Sequence, residues 1–104
     1  MASGPAPQVD FVMPVYNEGA NIGRALDEID RNVSLPKRVL IVYDFDEDNT
    51  VPAVRALAER YPWVELHKNT IGRGVVNAVR AGIGAAKADV VIVTMADLSD
   101  DLAV

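Results

Sequence analysis

The sequence predicts an α/β domain of three layers, a parallel four-stranded sheet with helices on both faces. Two observations carry this. Short β-rich apolar runs alternate with stretches whose apolar residues recur at helical spacing, in the order β-α-β-α-β-α-β with short connections. The run Arg38 to Tyr43 is also continuously apolar after its first residue, as a parallel strand covered on both faces requires.

Each element has its own signal. Residues 1–8, MASGPAPQ, are small, Pro-rich and aperiodic, and read as a flexible leader to a domain over 9–104. Val9 to Val15 is β-rich and ends at a Pro, as a buried strand entering a loop does. Asn17 and Glu18 occupy cap and first-turn positions for a helix ending near Asn32, with Ile22, Ala25, Leu26, Ile29 and Val33 on its apolar face. Arg38 to Tyr43 is the second strand. Thr50 as N-cap and Pro52 in the first turn start a second helix, whose Val54, Leu57, Ala58 and Tyr61 share a face. Trp63 to His67 is a short third strand. Gly72 and Gly74 precede a third helix with Val76, Val79, Ile83 and Ala86 on its expected buried face. Gly82 and Gly84 within it cost about 1 kcal/mol each against Ala, which points to close packing. Val90 to Met95 is the fourth strand.

With 104 residues, the chain forms one domain at most, burying roughly 65% of its extended surface. It contains no Cys and a single His, which excludes a disulfide scaffold and thiolate metal sites and makes the cytoplasm the expected compartment. No apolar run approaches the ~20 residues of a membrane span, and Met1 to Gln8 lacks the regions of a signal peptide. The net charge of −5 argues against a nucleic-acid surface. That charge is uneven. Asp44, Asp46, Glu47 and Asp48 form one cluster, and Asp97, Asp100 and Asp101 another, each just past a strand end. In parallel sheets ligands bind outside the carboxyl ends of the strands, where strand order reverses, so cation or phosphate chemistry is expected there.

The loops after the strands carry the candidate chemistry. MPVYNEGANI offers an aromatic ring, a carboxylate and helix N-terminal amides suited to phosphate, or simply an ordinary capped helix start. In VYDFDEDNT, Glu47 and Asp48 read as solvated or capping residues. Asp44 stands at the strand edge, where a carboxylate can accept hydrogen bonds from a nucleobase. The G-x-G of IGRGVVN lacks the third Gly of a dinucleotide fingerprint, since Asn77 stands there, and it follows the wrong strand. Lys68, Arg73 and Arg80 are either diphosphate partners or ordinary surface cations. His67, with nothing in the sequence to pair with it, reads as a surface residue. In VTMADLSDD, Asp97 is the natural ligand for a divalent cation, while Asp100 and Asp101 read as the acids of a helix start.

PVYNEGANI, VYDFDEDNT and GRGVVNAVRAGIGAAKADVVIVTMADLSDD, in this order and spacing, resemble a family 2 glycosyltransferase of the GT-A fold, closest in flavour to dolichyl-phosphate mannose or glucose synthases. The resemblance runs from about Val9 to Asp101. It implies the Rossmann-like N-terminal half of that fold, with sheet order 3-2-1-4 and a crevice beside the first strand. By the same resemblance Pro14, Tyr16 and Glu18 lie in the nucleotide-contacting loop and Asp44 matches the base-binding acid; Arg73, as a diphosphate partner, is added to that nucleotide site from the residues themselves. Asp97 matches the last Asp of a D-x-D metal motif whose first Asp is replaced here by Met95, with Ser99 as a further oxygen ligand for Mg²⁺ or Mn²⁺.

The function so implied is binding of a nucleotide-diphosphate sugar, with a divalent metal, for inverting transfer to an acceptor such as a polyprenyl phosphate. In the family the catalytic base lies downstream of the D-x-D region. It is therefore expected beyond Val104, the chain being a truncated portion inactive alone, its parent at the cytoplasmic face of a membrane. Two other classes remain open: a non-catalytic nucleotide-binding or regulatory α/β domain, and a structural or assembly domain that dimerises through an exposed sheet edge. A receiver-like module would need an acidic pair where Tyr16 and Asn17 stand.

Overall fold

A computed structural model describes residues 7–96. Its elements follow the predicted order: β1 (Val9–Pro14), α1 (Ile22–Asn32), β2 (Lys37–Tyr43), α2 (Thr50–Leu57), β3 (Val64–Lys68), α3 (Val75–Ala85) and β4 (Val90–Val93). The sheet is wholly parallel, in the order β3-β2-β1-β4. The order implied by the resemblance is the one found.

Alternation along the two central strands builds two cores. Val9, Phe11 and Met13 of β1, with Val39 and Ile41 of β2, meet Ile22, Ala25, Leu26 and Ile29 of α1 and Val54 of α2. The intervening Val12, Leu40 and Val42 face α3 through Ala78. Strand period and helix period thus meet on both faces, as expected of a buried parallel sheet.

Three local expectations are corrected. The first helix begins at Ile22 with Asn21 as its N-cap, so Asn17 is not the cap nor Glu18 in the first turn: the chain passes through a left-handed Asn17 (φ 50°) and a turn closed on the Glu18 carbonyl before the helix starts. Leu57 ends α2 before Tyr61, which is nevertheless buried in the core. Helix α3 buries Ala78 and Gly82, whereas Val76 and Ile83 are exposed. The cause is Gly82: a Cβ there would collide with Val12 Cγ1 and lie 3.1 Å from Val42 Cγ2, so its absence lets α3 settle on the sheet along its small residues. Gly84 meets nothing within 4 Å, so close packing does not explain it.

Asp10, on the α3 face of β1, is fully buried. Its carboxylate accepts a two-pronged pair from Arg38, both bonds 3.0 Å, and the backbone N–H groups of Lys87 and Ala88 at 2.7 and 2.9 Å. Arg38 also reaches Glu65 at 3.1 Å. This network ties β1, β2, β3 and the α3–β4 turn together at the end of the sheet opposite the strand C-termini.

The two sheet edges differ in kind. The β3 edge carries Glu65, His67 and Lys68, which blunts strand pairing. The β4 edge carries four aliphatic residues that are 38–52% exposed. Among the described residues no helix is long and apolar enough to cross a membrane.

Candidate functional site

The switch point lies between β1 and β4, and a cavity of about 260 Å³ opens there at the carboxyl ends of the strands. Its wall includes Pro14, Tyr16 and Glu18 from the β1–α1 loop, Asp44 after β2, Gly74 before α3, and Met95 after β4. Four sequence-predicted residues, Pro14, Tyr16, Glu18 and Asp44, are therefore gathered on one cavity. Arg73 is not in its wall. Its guanidinium lies 5.5 Å over the ring of Phe45, which in turn lies 5.8 Å from the ring of Tyr16, a residue of that wall. Phe45 escaped the sequence reading because an isolated aromatic within an acidic run has no periodicity.

The acidic cluster after β2 divides its work. Asp46 pairs with Lys68 at 2.9 Å, a hydrogen bond that raises the pKa of the Lys68 ammonium. Glu47 is exposed. Of the two roles expected for Asp48, solvated or capping, the second is the one found: it is fully buried, and it takes the first N–H of α2, whose N-cap is Asn49 and not Thr50, while clamping the neighbouring loop. Its carboxylate accepts Thr50 N–H at 2.8 Å and Asn17 N–H at 3.1 Å. Thr50 Oγ1 accepts Glu18 N–H at 2.8 Å, and Asn49 Oδ1 accepts Gly19 N–H at 2.8 Å. Asn17 Oδ1 returns the bond, accepting Asn49 N–H at 3.0 Å. A Cβ on Gly19 would lie 2.8 Å from the Asn49 carbonyl oxygen, so the loops approach too closely for any other residue.

This clamp corrects a second expectation. Three successive N–H groups in a loop with one left-handed residue resemble the concavities that bind anions. Here Asp48, Asn49 and Thr50 take the amides of residues 17–19, so those amides are not offered to a phosphate. The clamp instead fixes the backbone from which Tyr16 and Glu18 reach the cavity. Glu18 also accepts Asn21 Nδ2 at 2.9 Å, bracing the entry to α1.

Asp44 is held just as firmly. Oδ1 accepts Asn69 Nδ2 at 2.8 Å and Oδ2 accepts Gly74 N–H at 3.1 Å. Gly74 sits at φ 113°, a conformation open to Gly. Asn69, buried beside the site, was also missed. An Asn after a strand reads only as a turn residue until the β3–α3 loop folds back on Asp44.

Asp97 and Ser99, the expected metal ligands, lie outside the described residues. Among the described residues no group of three or more His, Asp or Glu side chains is placed to hold a metal ion. Met95 brings a thioether to the cavity, a poor donor for Mg²⁺ or Mn²⁺. The described residues by themselves thus do not fit such a cation.

Comparison with known proteins bears on this site as a whole. The chain is 28% identical over 95 residues to the dolichyl-phosphate beta-glucosyltransferase ALG5C of Trichomonas vaginalis, covering 84% of this chain and 28% of that protein. Among solved structures it resembles the mannosyltransferase PcManGT from Pyrobaculum calidifontis, in complex with GDP-Man and Mn²⁺. That match has a TM-score of 0.76 and 32% identity over 88% of this chain and 28% of the other. Glucosyl-3-phosphoglycerate synthase from Mycobacterium tuberculosis, in complex with Mn²⁺, UDP and glucosyl-3-phosphoglycerate, shares the fold at a TM-score of 0.70 and 17% identity. It matches over 86% of this chain and 33% of its own. The chain therefore spans about a third or less of the length of these relatives. The profile of the family described as "Glycosyl transferase family 2" matches residues 10–101, nearly the whole chain, and with the parallel 3-2-1-4 sheet and the cavity at its switch point it settles the assignment: the chain belongs to glycosyl transferase family 2.

Proposed function

We propose that this chain binds a nucleotide-diphosphate sugar in the cavity between the β1 and β4 ends, as the donor-binding portion of an inverting glycosyltransferase. The observation that carries this reading is the convergence of Pro14, Tyr16, Glu18 and Asp44 on one cavity at the switch point. The GDP-Man and Mn²⁺ of the mannosyltransferase relative support it. In this reading Asp44 accepts hydrogen bonds from the base, Pro14, Tyr16 and Glu18 contact the nucleoside, and Arg73 meets the diphosphate. Asp97 and Ser99 hold a divalent cation. The acceptor is a polyprenyl phosphate, a class supported by the name of the curated relative. The parent enzyme works at the cytoplasmic face of a membrane.

Calorimetric titration with UDP, GDP and GDP-mannose, with and without Mg²⁺ or Mn²⁺, tests the proposal. Saturable binding of at least one nucleotide is expected, weakened in Asp44→Ala. Absence of saturable binding by all three would overturn it.

The exposed β4 edge favours an additional reading, that two copies of the chain pair through Val90–Val93. A sedimentation series across concentration should show a dimer, and a strictly monomeric chain would reject this reading.

A further inference from the structure

Asn69 is buried, with 6% of its surface exposed, at the point where β3 gives way to the loop before α3. Both hydrogens of its amide are used, one on Asp44 Oδ1 at 2.8 Å and one on the Gly72 carbonyl. Its side-chain oxygen accepts Ile71 N–H at 3.0 Å, and its backbone N–H donates to the Tyr43 carbonyl at 2.8 Å. The amide therefore has one workable orientation. Turned over, it would set its oxygen against the Asp44 carboxylate and the Gly72 carbonyl.

The consequence falls on Asp44. A carboxylate has about four lone-pair positions, and Asn69 and Gly74 take one on each oxygen. The carboxylate plane is thus locked in the cavity wall, with acceptor positions to spare and with its neighbours acting as donors. A group so held reads the edge of a base by accepting N–H bonds. Uracil and guanine present a ring N–H there. Cytosine and adenine present a bare ring nitrogen, whose lone pair is repelled and offsets the bond that their neighbouring exocyclic amine can donate.

We propose that Asn69 is a positioning residue for base recognition, locking Asp44 as a hydrogen-bond acceptor so that the site favours bases bearing a ring N–H. This rests on the nucleotide-binding reading above. It makes the β3–α3 loop, rather than β2 alone, the source of base discrimination.

The test is the affinity of the 104-residue chain for UDP, GDP, CDP and ADP, in wild type, Asn69→Ala and the isosteric Asn69→Asp. Wild type should bind the better of UDP and GDP at least about tenfold more tightly than CDP and ADP. Both variants should narrow that ratio to about threefold or less, Asn69→Asp because it sets a second carboxylate against the first. A merely structural role weakens all four ligands by a common factor, so an unchanged ratio in either folded variant overturns the inference. Equal binding of all four by wild type also overturns it, leaving the nucleotide site standing. Binding of none removes the nucleotide site itself, and the inference with it.

Discussion

Acid should destabilise this domain through Asp10, and the size of the effect follows from its surroundings. Burial by itself would push the Asp10 carboxyl up. The Arg38 guanidinium and the N–H groups of Ala88 and Lys87 outweigh burial and hold it at about 2, against an ordinary value of 3.8. A carboxyl lowered on folding contributes stability that is fully present above its unfolded value and drains as the pH falls through the folded one. The fall from 3.8 to about 2 corresponds to about 2 kcal/mol lost between roughly pH 5 and pH 2. Urea unfolding of wild type and Asp10→Asn across pH 2 to 7 isolates this term, since the remaining carboxylates are common to both. The variant should start about 3–5 kcal/mol less stable at neutral pH, with Arg38 short of its charge partner and an amide facing two N–H donors. Its deficit should shrink by about 2 kcal/mol on acidification. Parallel losses in the two proteins would refute the reasoning.

Other perturbations test the packing and the loops. Gly82→Ala should destabilise by about 1–3 kcal/mol because the added methyl meets Val12, whereas Gly84→Ala should stabilise by about 0.5–1 kcal/mol; thermal shifts of one sign would contradict this. Thr50→Val leaves the Glu18 N–H without its acceptor and should cost about 1–3 kcal/mol in urea unfolding while weakening nucleotide binding, with recovery in Thr50→Ser. Unaltered binding by Thr50→Val would separate the clamp from the site. On the exposed β4 edge, where Ile92 is 41% exposed, Ile92→Lys should abolish self-association in sedimentation and leave nucleotide affinity unchanged.

The strands were legible because their apolar runs are dense and short, and the sheet order followed from a series of loop motifs rather than from any one strand. The α3 face was not. Val76 and Ile83 outrank Ala78 and Gly82 on hydrophobicity, and only the approach of Val12 and Val42 in space reverses that ranking. The burial of Asp48, and its bond to Asn17, were hidden for a similar reason. Within an acidic run nothing marks the one carboxylate that turns inward, and its partner Asn17 lies 31 residues away. The gathering of Pro14, Tyr16, Glu18 and Asp44 was legible through the resemblance, whose loop motifs lie at or just past the ends of β1 and β2. Asn69 and Phe45 act through a loop folding back on another loop, which no local pattern records. Asp97 and Ser99 lie outside the described residues.

The central place of β1 governs how this chain can fold as it is made. Strand β1 pairs with β4 through Val9 and Val90, and Asp10 finds its last N–H donors 77 and 78 residues downstream. Closing a loop of that length costs about 4 kcal/mol of chain entropy before any contact repays it. A nascent chain that has emerged only through α2 holds β1 with one flank open and Asp10 short of two of its hydrogen bonds. Strand β1 is thus completed only by β4, so this half of the sheet assembles late and cooperatively rather than strand by strand.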